Sequence, residues 1–269
     1  MNINVGSSST RIPGFLNVDI RRIEGVDIVG HAGAFRGVGD GTVQTLFASA
    51  VLEHIFLGQH LAVFAEWKRV LAPDGLIVCI AIPDFAMLAR LYLQNAPGIV
   101  SKRFDLLNVY RYTHGWPEEA LAPVWGQWQP DKHPNAAPAE WLPQLHKALF
   151  DVTYVQGLLE VSGLRGACFN YVYGGNNEIH PLNLGFIASA RPDYDIPTTP
   201  EQIRAVLSRV PGIEKSVALD TIKLSTPGPE PDSMTAYVTN LSKRPLPKLL
   251  GLKKIVRHWQ RRLKLTNKP

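Results

Sequence analysis

The chain has little cysteine, little charge and no long apolar run, and each shortage narrows what it can be. Its two cysteines among 269 residues, Cys79 and Cys168, lie far apart, each within an apolar stretch. That excludes a disulfide framework or a cysteine-based metal centre and reads as two reduced, buried thiols of a cytoplasmic protein; the sequence gives no metal-ligand spacing elsewhere. No apolar run reaches the roughly 18 residues of a membrane-spanning helix. The opening MNINVGSSST has neither the basic start nor the apolar stretch of a secretory leader. Charged residues make up 19% of the chain, under the usual figure of about 25%, while 45% hydrophobic residues suffice for a real core and exclude global disorder. No internal repeat is present. Acidic residues are absent from Lys243 onward, where ten Lys and Arg fall; of the 28 cations, 18 therefore face all 23 Asp and Glu elsewhere. The net charge of +5 thus belongs to the tail, which argues against a broad nucleic-acid-binding face on the main body.

The first 90 residues alternate short apolar runs with turns. Strands are predicted at Asn2 to Val5, Phe15 to Ile20, Val26 to Gly30 and Val43 to Ala50. Largely apolar runs of this kind suit strands covered on both faces, as in a parallel sheet. A helix is predicted through Leu61, Phe64, Ala65, Lys68, Val70 and Leu71, ended by Pro73-Asp74-Gly75. The strand Leu76 to Ile82 follows, then a helix over Phe85 to Gln94, an amphipathic helix over Asp151 to Gly163, and two late strands, Cys168 to Tyr173 and Leu184 to Ala190, as an antiparallel pair. The fold expected is α/β: a Rossmann-like, open, twisted and mostly parallel sheet with late antiparallel strands, plus a C-terminal appendage.

Residues 1–191 form the expected main domain. Within it, 96–145 is an insertion with Trp116, Trp125, Trp128 and Trp141 and too many prolines for a long helix, read as a lid or substrate wall. Residues 192–242 form an appendage, with a helix over Pro200 to Val210 opened by a Thr199–Gln202 capping box and a strand over Met234 to Thr239. In 243–269, Leu249, Leu252, Ile255, Val256, Trp259 and Leu263 make a helical apolar stripe among cations. This pattern fits a helix on an anionic membrane surface, a helix docked on the acidic main body, or a partner-binding helix.

Three signals fall at the carboxyl ends of early strands, where an open α/β sheet binds nucleotides. They are the Gly6-Ser7-Ser8 turn, Asp19 closing the second strand, and Gly30-His31-Ala32 closing the third. Singly, each has a plain alternative, since a glycine after a strand is commonly just a turn. Together, the stretches INVGSSSTRIPGFLNVDI, VDIVGHA, DGTVQTLFASAVLEHI and EWKRVLAPDGLIVCIAIPDF resemble the class I S-adenosylmethionine-dependent methyltransferases, in the small bacterial branch with a short first βα connection. Gln144-Leu-His-Lys-Ala-Leu-Phe-Asp and GLLEVSGL extend the resemblance to about residue 190.

The resemblance implies S-adenosylmethionine as cofactor and methyl transfer to a small-molecule or glycan-type acceptor, the latter through the family's association with polysaccharide biosynthesis. Gly6 and Ser7 would face its methionine and ribose portion, and Asp19 would hold the ribose hydroxyls. His31 and Ala32 would border adenine, and Ala48 and Ser49 would line the methionine end. Leu52, Glu53 and His54 would open the next helix beside the transfer site. An oxygen acceptor benefits from a general base, for which His54 and His146, the latter next to Lys147, are the catalytic candidates; His114 and Asp84 have plainer loop and structural readings. The sequence departs from the family at two positions: Ser8 stands where a second turn glycine is usual, and His31 where an acidic residue is usual. These departures support the alternative of a catalytically inactive, methyltransferase-like binding or scaffold module. The expected location is cytoplasmic, peripheral at the inner face of the membrane if the tail binds lipid.

Overall fold

The computed structural model describes residues 1–96, Thr113, 146–174 and 179–226. His114, the four insertion tryptophans, the strand expected at 234–239 and the basic segment 243–269 lie outside the described residues. An eight-stranded sheet runs β3-β2-β1-β4-β5-β7-β6-β8. The strands are β1 (Asn2–Val5), β2 (Phe15–Asp19), β3 (Ile28–Val29), β4 (Val43–Ser49), β5 (Leu71–Pro83), β6 (Arg165–Tyr171), β7 (Asn183–Ser189) and β8 (Lys223–Ser225). The first five are mutually parallel, whereas β7 runs antiparallel to β5 and to β6, and β8 antiparallel to β6. The sheet is the expected Rossmann-like one.

Apolar alternation within the strands clothes both faces. Ile77 and Cys79 of β5, with Leu184 and Phe186 of β7, face one core; Val78 and Ile80, with Ile187, face the other. The first core is covered by α1 (His60–Val70) and α3 (Val152–Val161) through Val63, Phe64, Trp67, Val155 and Leu158. The second is covered by α4 (Pro200–Leu207) and the turns after it, through Ile203, Leu207, Val210 and Ile213. A smaller cluster of Leu88, Leu91 and Leu182 seats α2 (Phe85–Leu93). No helix among the described residues is long and apolar enough to cross a membrane.

Helix starts follow the capping rules. Asp84 accepts from the Met87 amide at 3.1 Å, and Asp151 from the Tyr154 amide at 2.7 Å. The capping box of Thr199 and Gln202 is formed as the sequence predicts. Asp84 is also buried against Asn170, whose amide donates to it at 2.8 Å. Asp84 thereby starts α2 and ties it to β6.

Two local expectations need correction. Pro73-Asp74-Gly75 does not separate helix from strand: β5 already pairs at Leu71 with Val43 and resumes at Leu76 opposite Thr45, so the tripeptide is a bulge inside one strand. A Cβ on Gly75 would lie 2.6 Å from the Val43 carbonyl oxygen, so glycine lets the bulge close. Leu52–His54 also does not open the next helix. It is an isolated 3-10 turn, followed by a second at Leu57–Gln59 before α1 begins.

Trp67 and His60 tie α1 to the loops around it. The fully buried Trp67 indole donates to the Ala32 carbonyl at 2.8 Å and stacks on Phe64. The buried His60 ring lies 3.2 Å through Nε2 from the Leu52 and Ile55 carbonyl oxygens. Carbonyls only accept, so Nε2 carries the proton, and Nδ1 accepts from the Tyr154 hydroxyl at 2.9 Å. Burial pushes this imidazole down to about 4, against the opposing pull of the two carbonyls. The unfolded chain therefore binds more protons than the folded one below about pH 6.5. Stability from this group is complete above that pH and is lost as pH falls toward 4, by roughly 2–3 kcal/mol between pH 7 and about 4.5. Urea unfolding at the two pH values should show the loss, and His60→Gln should flatten it; an equal slope in both proteins would assign the acid sensitivity elsewhere.

Candidate functional site

The chain reverses its direction of travel across the sheet between β1 and β4. Their carboxyl ends open the crevice in which α/β sheets bind ligands. A cavity of about 620 Å³ lies there, lined among others by Gly6, Ser7, Asp19, His31, Ala32, Ser49 and His54. Its size is that of a site for a cofactor or drug-sized molecule.

The wall after β1 is sterically fixed. Gly6 has φ +66°, and a Cβ there would fall 2.3 Å from Cγ2 of Val51, just after β4. The turn and the post-β4 loop thus touch through a position that only glycine fills without strain. Ser8, where the sequence resemblance implied glycine, also has a left-handed φ of +46°. Its amide is held by the Asp19 carboxylate at 2.8 Å, which compensates the conformation. Ser7 is 2% exposed, its amide bonds to the Val18 carbonyl at 3.1 Å, and its Oγ has no hydrogen-bond partner. A buried hydroxyl on a cavity wall with no partner is suited to a ligand.

Asp19 is 5% exposed. Besides the Ser8 amide it accepts from the Arg21 amide at 2.9 Å and from the Arg21 guanidinium at 3.1 Å. Burial works against its charge, but the bonds from Arg21 and Ser8 prevail and hold the carboxyl below its ordinary range. Asp19 is thus an ionised acceptor, with Arg21 beside it on the cavity wall.

His31 presents the opposite polarity from the acid that the sequence resemblance implied there. Its Nδ1 accepts from the Gly33 amide at 3.1 Å. Burial, helped by the charge of Lys147, lowers its pKa and keeps the ring neutral. The remaining proton therefore sits on Nε2, which makes His31 a donor. Ala32 is held by Trp67 through its carbonyl, and Ser49 lines the cavity. Ala48 is placed otherwise: it pairs with Val5 and Cys79 in mid-sheet, is fully buried in the first core, and is not among the lining residues.

At the far end of this wall the sequence candidates His54 and His146 meet. Their rings lie 5.0 Å apart, edge to face, and both are half-buried. Lys147 closes the contact, its amide bonding to the Glu53 carbonyl at 2.6 Å and its ammonium to the His54 carbonyl at 2.8 Å. His54 lines the cavity, whereas His146 is not among its lining residues. Beside them is Glu53, 2% exposed, with Oε1 3.8 Å from His54 Nε2 and Oε2 without a hydrogen-bond partner. Burial raises its carboxyl to about 8.

Sequence reasoning missed several wall residues. Exposed Ile20 and Phe56 offer apolar surface to a flat ligand, and Tyr173 and Ser216 close the wall from later segments, while Lys147, already noted beside His146, adds a cation. Ile20 follows Asp19 directly and was findable; Ser216 carried no signal, because only tertiary packing brings it here.

The Gly6–Val51 contact can be measured. Gly6→Ala should destabilise the protein by more than the roughly 1–2 kcal/mol of left-handed strain. Val51→Ala removes the obstructing methyl group, so the double variant should recover about 1 kcal/mol relative to the sum of the singles in denaturant unfolding. Strict additivity would show that the turn relaxes away from Val51.

No protein-family model matches the chain, and no curated protein matches it in sequence. Similar solved structures include a methyltransferase of Thermotoga maritima described as S-adenosylmethionine-dependent and a possible histamine N-methyltransferase. It is 12% identical, with 71% of this chain and 81% of that one covered and a TM-score of 0.42. A second, an S-adenosylmethionine-dependent methyltransferase of Archaeoglobus fulgidus, is 11% identical, with 69% and 84% covered and a TM-score of 0.40. A third, the magnesium protoporphyrin IX methyltransferase of Synechocystis with bound S-adenosylhomocysteine, is 10% identical, with 70% and 72% covered and a TM-score of 0.37.

Proposed function

We propose that the chain transfers a methyl group from S-adenosylmethionine to a small-molecule acceptor, with a glycan-type hydroxyl as the acceptor suggested by the sequence resemblance. The observation that carries the reading is the cavity at the β1/β4 switch point. It gathers six of the seven cofactor positions taken from the sequence: Gly6, Ser7, Asp19, His31, Ala32 and Ser49. These residues suit the cofactor chemically. Ser7 supplies an unpartnered hydroxyl, and ionised Asp19 supplies acceptors for ribose hydroxyls. His31 would donate from Nε2 to an adenine ring nitrogen in place of the usual accepting carboxylate. Ala48 supports this wall from within the sheet.

The cofactor supplies an activated methyl group on a sulfonium sulfur. What remains for the protein is positioning, exclusion of water and removal of the acceptor's proton. His54, on the wall, would take that proton, and His146, in edge contact with it, would orient the ring and share the charge. Lys147 fixes both by bonding the turn that carries His54.

Calorimetric titration tests the reading. S-adenosylmethionine and S-adenosylhomocysteine should bind saturably, and Asp19→Ala should weaken binding about 10- to 150-fold, the value of hydrogen bonds to a charged group. His54→Ala and His146→Ala should keep cofactor affinity and lower kcat roughly 10²- to 10⁴-fold. No binding at about millimolar ligand would overturn the enzyme reading in favour of a binding or scaffold module.

We extend the proposal to the basic segment 243–269, whose ten cations and apolar stripe fit an anionic lipid surface. The full chain should sediment with phosphatidylserine-containing vesicles, and a chain ending at residue 242 should not. Equal sedimentation of the two would remove the membrane assignment.

A further inference from the structure

We propose that Glu53, His54 and His146 form a binding site for one divalent transition-metal ion of the zinc type. Glu53 and His54 are adjacent in sequence, while His146 arrives from the far side of the insertion, so no ligand spacing announces the set. The fold nevertheless brings one ligand atom of each residue within 4.8 Å of the other two.

The donor set is two imidazole nitrogens and one carboxylate, which zinc and its first-row neighbours favour; calcium and magnesium prefer oxygen cages. In a tetrahedral site with bonds of about 2.0–2.2 Å, neighbouring ligand atoms lie about 3.4 Å apart. Glu53 Oε1 and His54 Nε2 stand at 3.8 Å, close to that figure.

A second observation points the same way. Glu53 is almost wholly buried, yet its Oε2 has no hydrogen-bond partner. A carboxylate in that position costs free energy unless paired or bound to a cation. The backbone around it is well held, with Lys147 bonded to the carbonyls of both Glu53 and His54. The unsatisfied oxygen is therefore a feature of an ordered turn.

Three protein ligands leave at least one position open on a four-coordinate ion. Because His54 lines the cavity, an ion here sits in the cavity wall on the acceptor side. With the ion bound, an acceptor hydroxyl reaching that open position would be acidified by the cation and give its proton to solvent; in the metal-free chain His54 keeps the base role proposed above. This use of the ion rests on the methyltransferase reading; the existence of the site does not.

The test is titration of the metal-free full chain with Zn(II) and with Co(II) at neutral pH, followed by calorimetry and by visible absorption of the cobalt form. One equivalent should bind per chain, with cobalt bands of low coordination number. Glu53→Gln and His146→Asn should each weaken binding by more than about 100-fold, beyond the 10- to 100-fold seen for residues that merely orient ligands. Both variants should retain the wild-type affinity for S-adenosylhomocysteine, so loss of metal and loss of cofactor are read separately. Far-ultraviolet circular dichroism identifies a variant that has lost its fold, and the other variant then carries the test. Absence of binding at about 100 μM metal, or binding that survives in a folded variant, would overturn the site.

Discussion

The four residues of β1 bond in parallel to β2 on one side and to β4 on the other. The chain moves outward from β1 in one direction through β2 and β3 and then returns to lay β4 and β5 on the opposite flank. Loops leaving β1 and β4 must therefore diverge, and the crevice between them is a consequence of strand order before any side chain is considered. Both faces of the sheet are sealed by helices and turns, which leaves the carboxyl edge as the place where polar groups and a ligand can meet. The cavity, the left-handed turn at Gly6 and the histidine pair all sit on that edge.

Charge and hydrogen-bond polarity are arranged unevenly along it. At the β2 end a carboxylate is kept ionised by Arg21 and by amides, and one of those amides belongs to a serine in left-handed conformation. At the β3 end a neutral imidazole is locked as a donor. At the β4 end burial makes ionisation of Glu53 costly, although two imidazoles lie within reach. One edge thus offers an anionic acceptor, a neutral donor and a buried carboxyl beside two imidazoles.

Much of the fold was legible because it depends on local rules. Short apolar runs read as strands, and Thr199 with Gln202 announced the start of α4. The Pro73–Gly75 segment misled because its residues signal a stop, while the pairing of Leu71 with Val43 carries the strand through the bulge. The candidate site was legible where positions follow strand ends: Gly6, Asp19 and His31 line the cavity. It was not legible where function depends on which atom is already bonded: His31 was known as a histidine, but its donor role follows from the Gly33 amide. The meeting of His54 with His146 was equally invisible, since each histidine was identifiable alone and only the packing of 146–150 against the 52–54 turn joins them. Ala48 shows the converse, since a position adjacent to a site in sequence turned its side chain into the core.

The hydrogen bond from Trp67 to the Ala32 carbonyl has a thermodynamic consequence for association. The wall that would border a ligand's flat ring is fastened to a large side chain deep in the core. Its conformational freedom is surrendered when the chain folds, not when a ligand arrives. Binding on that wall should therefore carry a small ordering entropy. A ligand meeting that wall would find it already in shape, held by the same core that stabilises the fold.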